Sequence, residues 1–304
     1  MGLIASNTEY YDTPALAIMI ADFNEADFRL LPNFTNNTDA YQGELAGWCQ
    51  QHDFHVGLLH ADPENPALLE LVEQLGQIVP QAFLVGGITS SRSRHYQIAN
   101  DVFHGGLSGI LFSDQLSIMT NLTQGCTPTG PRHRVTMSDR NIIYSLDNKP
   151  ALDVLTEDVG EIIARDWERA SGFIFAGLVN PNRDTDDYTV RQLIGVDENA
   201  KIIAIGDHVD SNQEIIFCRR DGSTATDDMQ RMLLQLKSRI KTKPRGGIYV
   251  SCLGRGREQF GSNSEEARLI HALLGDFPLV GFFANGEIHN NQLYGFTGVL
   301  TLFL

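Results

Sequence analysis

The sequence predicts a mixed α+β fold, built from two related β-α-β-β halves with helices packed on mixed sheets. Three observations predict it. Strand-like apolar runs alternate with amphipathic helical segments, the pattern of chains that pack helices on sheets. One layout of strand, helix, strand, glycine turn, loop and strand occurs twice, with Val56 to Gly86 spanning 30 positions and Val250 to Gly281 spanning 31. Between the copies, residues 171–220 read as strands separated by turn signals.

The elements follow in order. Gly2-Leu3-Ile4-Ala5-Ser6-Asn7 and the apolar run Ala15–Ile20 resemble Gly86-Gly87-Ile88-Thr89-Ser90-Ser91 and its returning strand. That would be half of a third copy, and the spacing expects about thirty further residues before Gly2. An incomplete copy predicts an exposed or compensated sheet edge. Residues 54–59 form a short buried strand, and Pro66 opens a helix through Val79 with Leu68, Leu69, Val72, Leu75 and Ile78 on one face. Pro80 stops it. Ala82-Phe83-Leu84-Val85 is a strand broken by Gly86-Gly87, and Gly109–Phe112 returns after a polar loop. Residues 150–170 are helical, with Leu152, Val154, Leu155, Val159, Ile162 and Ile163 as the apolar set. Thr226–Lys241 is the next helix and Ile248–Cys252 the next strand. Ser264 caps a helix whose apolar face is Leu269, Ile270, Leu273 and Leu274, with Glu265 and Glu266 favouring the positive end of its dipole. Leu279-Val280 leads into a turn at Gly281, and Gly298–Phe303 is the last strand.

Composition narrows the function. The chain has 304 residues, which predicts about two domains at ~150 residues each. Its formal net charge of −15 opposes general nucleic-acid binding and docking on an anionic membrane. No apolar run approaches the ~18 residues of a membrane helix, and the start carries no basic region with an apolar stretch behind it. Cys49, Cys126, Cys218 and Cys252 are widely spaced, as reduced thiols in a cytoplasmic protein are.

Ordered blocks along the whole chain carry a resemblance. Leu84-Val85-Gly86-Gly87, His104-Gly105-Gly106-Leu107-Ser108-Gly109 and Gln124-Gly125-Cys126-Thr127-Pro128-Thr129-Gly130 resemble the N-terminal half of the FIST family. Ser251-Cys252-Leu253-Gly254-Arg255-Gly256, Pro278–Phe283, Gly286-Glu287-Ile288 and Leu293–Leu300 resemble its C-terminal half. The resemblance implies a FIST N-like domain over residues 1–170, lacking its first strand and helix, and a FIST C-like domain over residues 171–304. It further implies an intracellular sensory protein that binds a small ligand, with amino acids the usual suggestion, and signals to a separate protein. For a subset of the family it implies haem and nitric-oxide sensing.

The residues suggest a matching chemistry. Glycine turns let a backbone approach a ligand, and free N–H groups in succession form anion nests. Arg92, Arg94, Arg132, Arg134, Arg191, Arg255 and Arg257 lie in or beside such loops, and guanidinium suits carboxylate or phosphate. Glu287 could pair with Arg255 or accept from a ligand ammonium. The expected ligand site is therefore Gly86, Gly87, Ser90, Cys126, Arg191, Cys252, Arg255, Gly286 and Glu287, around a small anionic or zwitterionic ligand. No cofactor is required. If haem binds, His104 and His289 are the axial candidates. Cys252 or Cys126 could instead serve as the nucleophile of a hydrolase or transferase, Cys126 with His133 nearby in sequence. A protein-interaction module is the remaining alternative. Cys49-x-x-His52-x-x-His55 has ligand-like spacing without an evident fourth ligand.

Overall fold

A computed structural model describes residues 1–36, 39–53, 55–160, 166–170, 172–179 and 188–304. Of the apolar positions named above, Phe54, Ile162 and Ile163 lie outside the described residues. In chain order the first elements are β1 (Gly2–Ala5), β2 (Thr8–Tyr11), β3 (Phe28–Phe34), α1 (Asp39–Cys49), β4 (His55–Ala61), α2 (Leu68–Ile78) and β5 (Ala82–Ile88). They continue with β6 (Gln97–Ala99), β7 (Asp101–Phe103), β8 (Leu107–Ser113) and β9 (Ile118–Thr123). The middle region holds β10 (Thr127–Asp139), β11 (Ile142–Leu146), β12 (Lys149–Pro150), α3 (Ala151–Val159), α4 (Trp167–Ala170), β13 (Ile174–Val179), β14 (Tyr188–Asp197), β15 (Ile202–Ile205) and β16 (Glu214–Arg219). The last are α5 (Gly222–Arg239), β17 (Gly246–Cys252), α6 (Arg257–Phe260), α7 (Glu265–Leu274), β18 (Leu279–Ala284), β19 (Glu287–His289), β20 (Gln292–Tyr294) and β21 (Gly298–Phe303). They gather into two compact units, one of Met1–Gln124 with Asp227–Leu304, the other of Gly125–Thr226.

The first unit carries the repeat as two sheets of identical plan, β2-β1-β18-β17-β21-β9 and β20-β19-β5-β4-β8-β3. In each, one parallel pair (β17–β18, β4–β5) is flanked by antiparallel strands. The equivalence extends to register, because Gly86 lies opposite Leu59 and Gly281 opposite Tyr249. Helices α1 and α2 bury Leu45, Leu68, Leu71, Val72 and Leu75 against one sheet. Helices α5 and α7 bury Met229, Met232, Leu233, Leu236, Ile270 and Leu274 against the other. Each such leucine is worth about 1.5–3 kcal/mol of burial. A third cluster, Val56, Val85, Leu122, Tyr294 and Val299, joins residues of both sheets, so the layers run helix, sheet, sheet, helix.

The hairpins are exchanged between the sheets. Hairpin β19–β20 follows β18 in sequence, yet β19 pairs with β5. Hairpin β1–β2 takes the corresponding place on β18. The counterpart of β1 is therefore β19, and the expected alignment of β1 with Gly86–Ser91 is corrected. Ala15–Ile20, expected as a strand, forms no regular element, and Thr8–Tyr11 is the partner of β1 instead.

Other local expectations change for identifiable reasons. Gly86, Gly87 and Gly281 do not break strands but lie within β5 and β18. A Cβ on Gly86, at φ +141°, would lie 1.9 Å from the carbonyl oxygen of Leu59. Leu69 faces solvent, and Leu71 takes its place in the buried face of α2. Ser264 adopts a left-handed conformation and does not cap α7; its Oγ accepts the N–H of Glu9 at 3.0 Å.

The second unit is an antiparallel ring, β10-β16-β13-β14-β15-β11, closed by β10–β11 pairing, with β12 beside β11. Its core sets Ala151, Leu152, Val154, Leu155 and Val159 of α3 among Val135, Ile143, Ile174, Ile203, Ile215 and Phe217 of the strands. Among the described residues, no helix is long and apolar enough to cross a membrane.

Candidate functional site

In sheets with parallel strands, ligands tend to bind outside the carboxyl ends of those strands. At the end of β5, residues Thr89, Ser90, Ser91 and Arg92 form one wall of a cleft of about 510 Å³. Asp12, just past β2, and Phe282 of β18 contribute to its other walls. Two bonds tie the loop after β5 to the end of β18. Ser90 Oγ donates to the Phe283 carbonyl at 2.5 Å, and Asn285 Nδ2 donates to the Thr89 carbonyl at 3.1 Å. Asp12 is a shared carboxylate, with Arg92 Nη2 at 2.5 Å on Oδ1 and Arg257 Nη2 at 3.1 Å on Oδ2. The Arg257 guanidinium also lies over the Tyr11 ring, 4.8 Å from its centroid.

A buried polar network occupies the carboxyl end of β17. Arg255, 1% exposed, donates from Nε (3.0 Å) and Nη2 (2.9 Å) to Glu266 Oε1. Tyr249 Oη donates to the same oxygen at 2.6 Å, and the N–H of Gly256 donates to Glu266 Oε2 at 2.8 Å. The Phe260 ring covers the guanidinium at 4.9 Å. Next to Glu266, the N–H of Ala267 donates to Glu9 Oε1 at 3.1 Å. Burial raises the Glu9 carboxyl above its ordinary range, and Tyr11 donates to it. Tyr11 Oη in turn accepts the N–H of Arg257 at 2.9 Å. Polar contacts thus run from buried Arg255 to the rim of the cleft.

Glu287 is also fully buried, but its partner is Thr297, whose N–H (3.1 Å) and Oγ1 (2.7 Å) both donate to Oε2. Burial pushes its carboxyl well above the ordinary range, although the Thr297 bonds and the charge of Arg255 act the other way. Burial likewise pushes the Cys252 thiol up, with neighbouring Glu287 adding to the effect. The Cys218 thiol is pushed up to about 12, again by burial. Thiols held this way supply almost no thiolate at neutral pH, which disfavours Cys252 as a nucleophile.

The expected site residues fall in several places. Ser90 lines the cleft, and Gly86 and Gly87 lie just before it in β5. Cys252, Arg255, Gly286 and Glu287 are buried around the ends of β17 and β18. Gly87 is filled around by packing, since a Cβ there would lie 2.5 Å from Val250 Cγ1. Cys126 and Arg191 belong to the second unit, where the Cys126 carbonyl accepts Tyr188 Oη at 3.0 Å and Arg191 Nε lies 2.5 Å from Asp207. In that unit, too, His133 is clamped between Asp147 (2.7 Å) and Asp158 (2.9 Å). Burial opposes its charge, but the two carboxylates outweigh burial and raise its pKa.

The residues around the two haem candidates do not fit a macrocycle. His104 shares a cavity with Asp62, Glu64, Arg94, His95 and Gly105, which offers no apolar wall for a porphyrin face. His289 packs edge-on against Phe83 and Tyr294 at centroid distances of 4.9 and 6.2 Å. Cys49, His52 and His55 do not form a metal site, since no cluster of three or more potential ligands converges among the described residues. His52 instead meets Asp114 at 3.1 Å and the rings of Trp48 and His55.

Sequence reasoning missed Asp12, Glu9 and Tyr249, and read Glu266 only as a dipole-favouring acid. Glu266 did leave a signal, an acid on the face of α7 that carries Ile270 one turn later. Asp12 left none, because its two arginine partners lie 80 and 245 positions away.

Comparison with known proteins supplies the remaining information. A model of the FIST N domain matches residues 1–149, and a model of the FIST C domain matches residues 151–290. The chain is 30% identical over 315 residues to uncharacterized protein MT0656 of Mycobacterium tuberculosis (strain CDC 1551 / Oshkosh), an alignment covering 100% of this chain and 82% of that protein. The same figures hold for uncharacterized protein Rv0628c of M. tuberculosis (strain ATCC 25618 / H37Rv). Uncharacterized protein Mb0898c of Mycobacterium bovis (strain ATCC BAA-935 / AF2122/97) is 28% identical over 314 residues, covering 99% of this chain and 81% of that protein.

Proposed function

This chain belongs to the FIST family, whose domains are associated with signal transduction, and from that premise we propose that it is a sensor of a small zwitterionic or anionic metabolite. The ligand site is the cleft between the loop after β5 and hairpin β1–β2. The observation that carries this reading is Asp12, one carboxylate shared by two arginines at a hydroxyl-lined opening. A ligand carboxylate competes with Asp12 for Arg92, whose fork favours two parallel bonds. A ligand ammonium then takes the carboxylate that Arg92 releases. An amino acid carries both groups, and a cleft of about 510 Å³ holds one with room for its side chain. Thr89 and Ser91 offer hydroxyls to the remaining polar atoms.

Binding draws the loop and the hairpin together, and a separate signalling protein reads the closed population. The protein works in a reducing compartment such as the cytoplasm, in keeping with four buried cysteines that are all free.

Thermal-shift measurements with free amino acids and small dicarboxylates test the reading. A ligand at a hundred times its Kd stabilises by about 2.7 kcal/mol. Arg92 is an exposed side chain, so Arg92→Ala leaves the fold intact and abolishes the shift. A shift that survives Arg92→Ala unchanged would refute the assignment of this cleft.

A further inference from the structure

The loop after β5 has a second use. Past Arg92 it carries Arg94 and His95 to another cavity of about 400 Å³, at the carboxyl end of β4, which Asp62, Glu64, His104 and Gly105 complete. Asp62 is 2% exposed. Its Oδ1 accepts the N–H of Glu64 at 2.9 Å and its Oδ2 accepts the N–H of Gly105 at 2.6 Å. An ionised carboxylate has about four acceptor sites, so two remain. No ion pair reaches Asp62 among the described residues, because Arg94 bonds to Tyr96 Oη at 3.0 Å instead. His95 is nine-tenths buried, and its Nδ1 has no hydrogen-bond partner among the described residues. A buried carboxylate without a cation and a buried imidazole nitrogen without a partner both call for a ligand.

The internal repeat says what kind of ligand. The turn after β4 matches the turn after β17. Asn65 N–H donates to the Asp62 carbonyl (3.2 Å) as Arg255 N–H does to that of Cys252 (2.8 Å), and Asp62 N–H reaches Gly106 (2.8 Å) as Cys252 N–H reaches Thr297 (2.9 Å). Arg255 and Asn65 are thus equivalent positions. In the second copy the chain supplies its own guanidinium, paired to Glu266 and wholly buried. In the first copy asparagine stands there, its side chain spent on the Thr35 and Gly105 carbonyls, and the acids keep an open cavity.

We propose that this cavity binds the protonated amino group of a small aliphatic amine. The ammonium has three donors and no acceptor, which suits the carboxylates of Asp62 and Glu64 with the His95 imidazole beside them. The His and acid groups do not converge as a metal site does, which directs the choice to an organic cation. This site goes beyond the zwitterion cleft and uses different side chains of the same loop.

Isothermal titration of the full chain with 1,4-diaminobutane tests it. One equivalent is expected to bind, and Asp62→Asn is expected to weaken it at least tenfold. Asp62 is buried and its variant could unfold, so exposed Glu64→Gln provides the second arm, with the same direction of effect. Absence of saturable binding, or equal affinity in Glu64→Gln, overturns the proposal. So does uptake of many equivalents that salt removes, which is condensation on an acidic surface. Binding lost in Arg92→Ala but kept in Glu64→Gln overturns it by moving the amine to the cleft. The amino-acid thermal shift and its loss in Arg92→Ala report on the cleft alone, so either reading fails without the other.

Discussion

Arg255 and Glu287 are the two charges that the motif pattern brings together, and tertiary packing gives each a different partner. Arg255 takes Glu266 because α7 starts ten residues after it and sets that carboxylate over the end of β17. Removing either charge would strand the other, so the pair is structural in its energetics. Glu287 is paired to neutral donors, and its protonation is therefore tied to stability. Its folded pKa is raised, chiefly by burial, whereas the unfolded side chain ionises near about 4.3. The folded state then holds a proton that the unfolded state has released. The stability contributed by that protonated group is complete below the unfolded value and is lost as pH rises to the raised folded value. Glu287→Gln keeps an acceptor for Thr297 and removes the titration. Its melting temperature is expected to fall less than that of the natural chain as pH rises through this window. Parallel pH profiles for the two chains would contradict this. The sequence marked both residues as important but not their partners, since partner choice depends on where α7 and β21 end up.

At the scale of elements, glycine illustrates how a correct position can carry a different cause. Gly86 and Gly281 mark the repeat in the sequence, and both read as turns. They lie instead in the parallel pairs, each pressed on a neighbouring carbonyl, that of Leu59 for Gly86 and that of Tyr249 for Gly281. Any Cβ there would displace backbone at 1.9 Å, which no side-chain rotation relieves. Gly86→Ala is expected to destabilise the first unit by more than about 3 kcal/mol in denaturant titration, placing it in the extreme tail of point substitutions. A cost under about 1 kcal/mol would show that β4 and β5 can separate to admit the methyl group. Amphipathic helices were legible because α2 and α7 bury one face at helical spacing. Short strands such as β6, β7 and β2 were not, because their alternation is too brief to stand out from loop.

For the whole molecule, the two stretches of the first unit that flank the second unit in sequence are tied to each other. Thr123 Oγ1 (2.7 Å) and the Gln124 N–H (2.8 Å) both donate to Asp228 Oδ2, which ties the residues before the second unit to those after it. The repeat then reads β3-α1-β4-α2-β5-β8 and β9-α5-β17-α7-β18-β21, with the second unit inserted after β9. Replacing residues 125–221 by a short Gly/Ser linker is expected to leave a chain that unfolds in one cooperative transition with its mixed sheets intact by circular dichroism. A molten product with no such transition would mean that the first unit depends on the second. By itself the sequence determined the mixed α+β class, the family, the repeat and the amphipathic faces of its helices, because these rest on local periodicity and on residues close in the chain. Only the tertiary structure decided the exchange of hairpins between sheets, the pairing of Arg255 with Glu266 and the shared carboxylate of Asp12. Each of those joins groups through space at distances that no local pattern records, and burial then fixes their partners by penalising any charge or donor left without one.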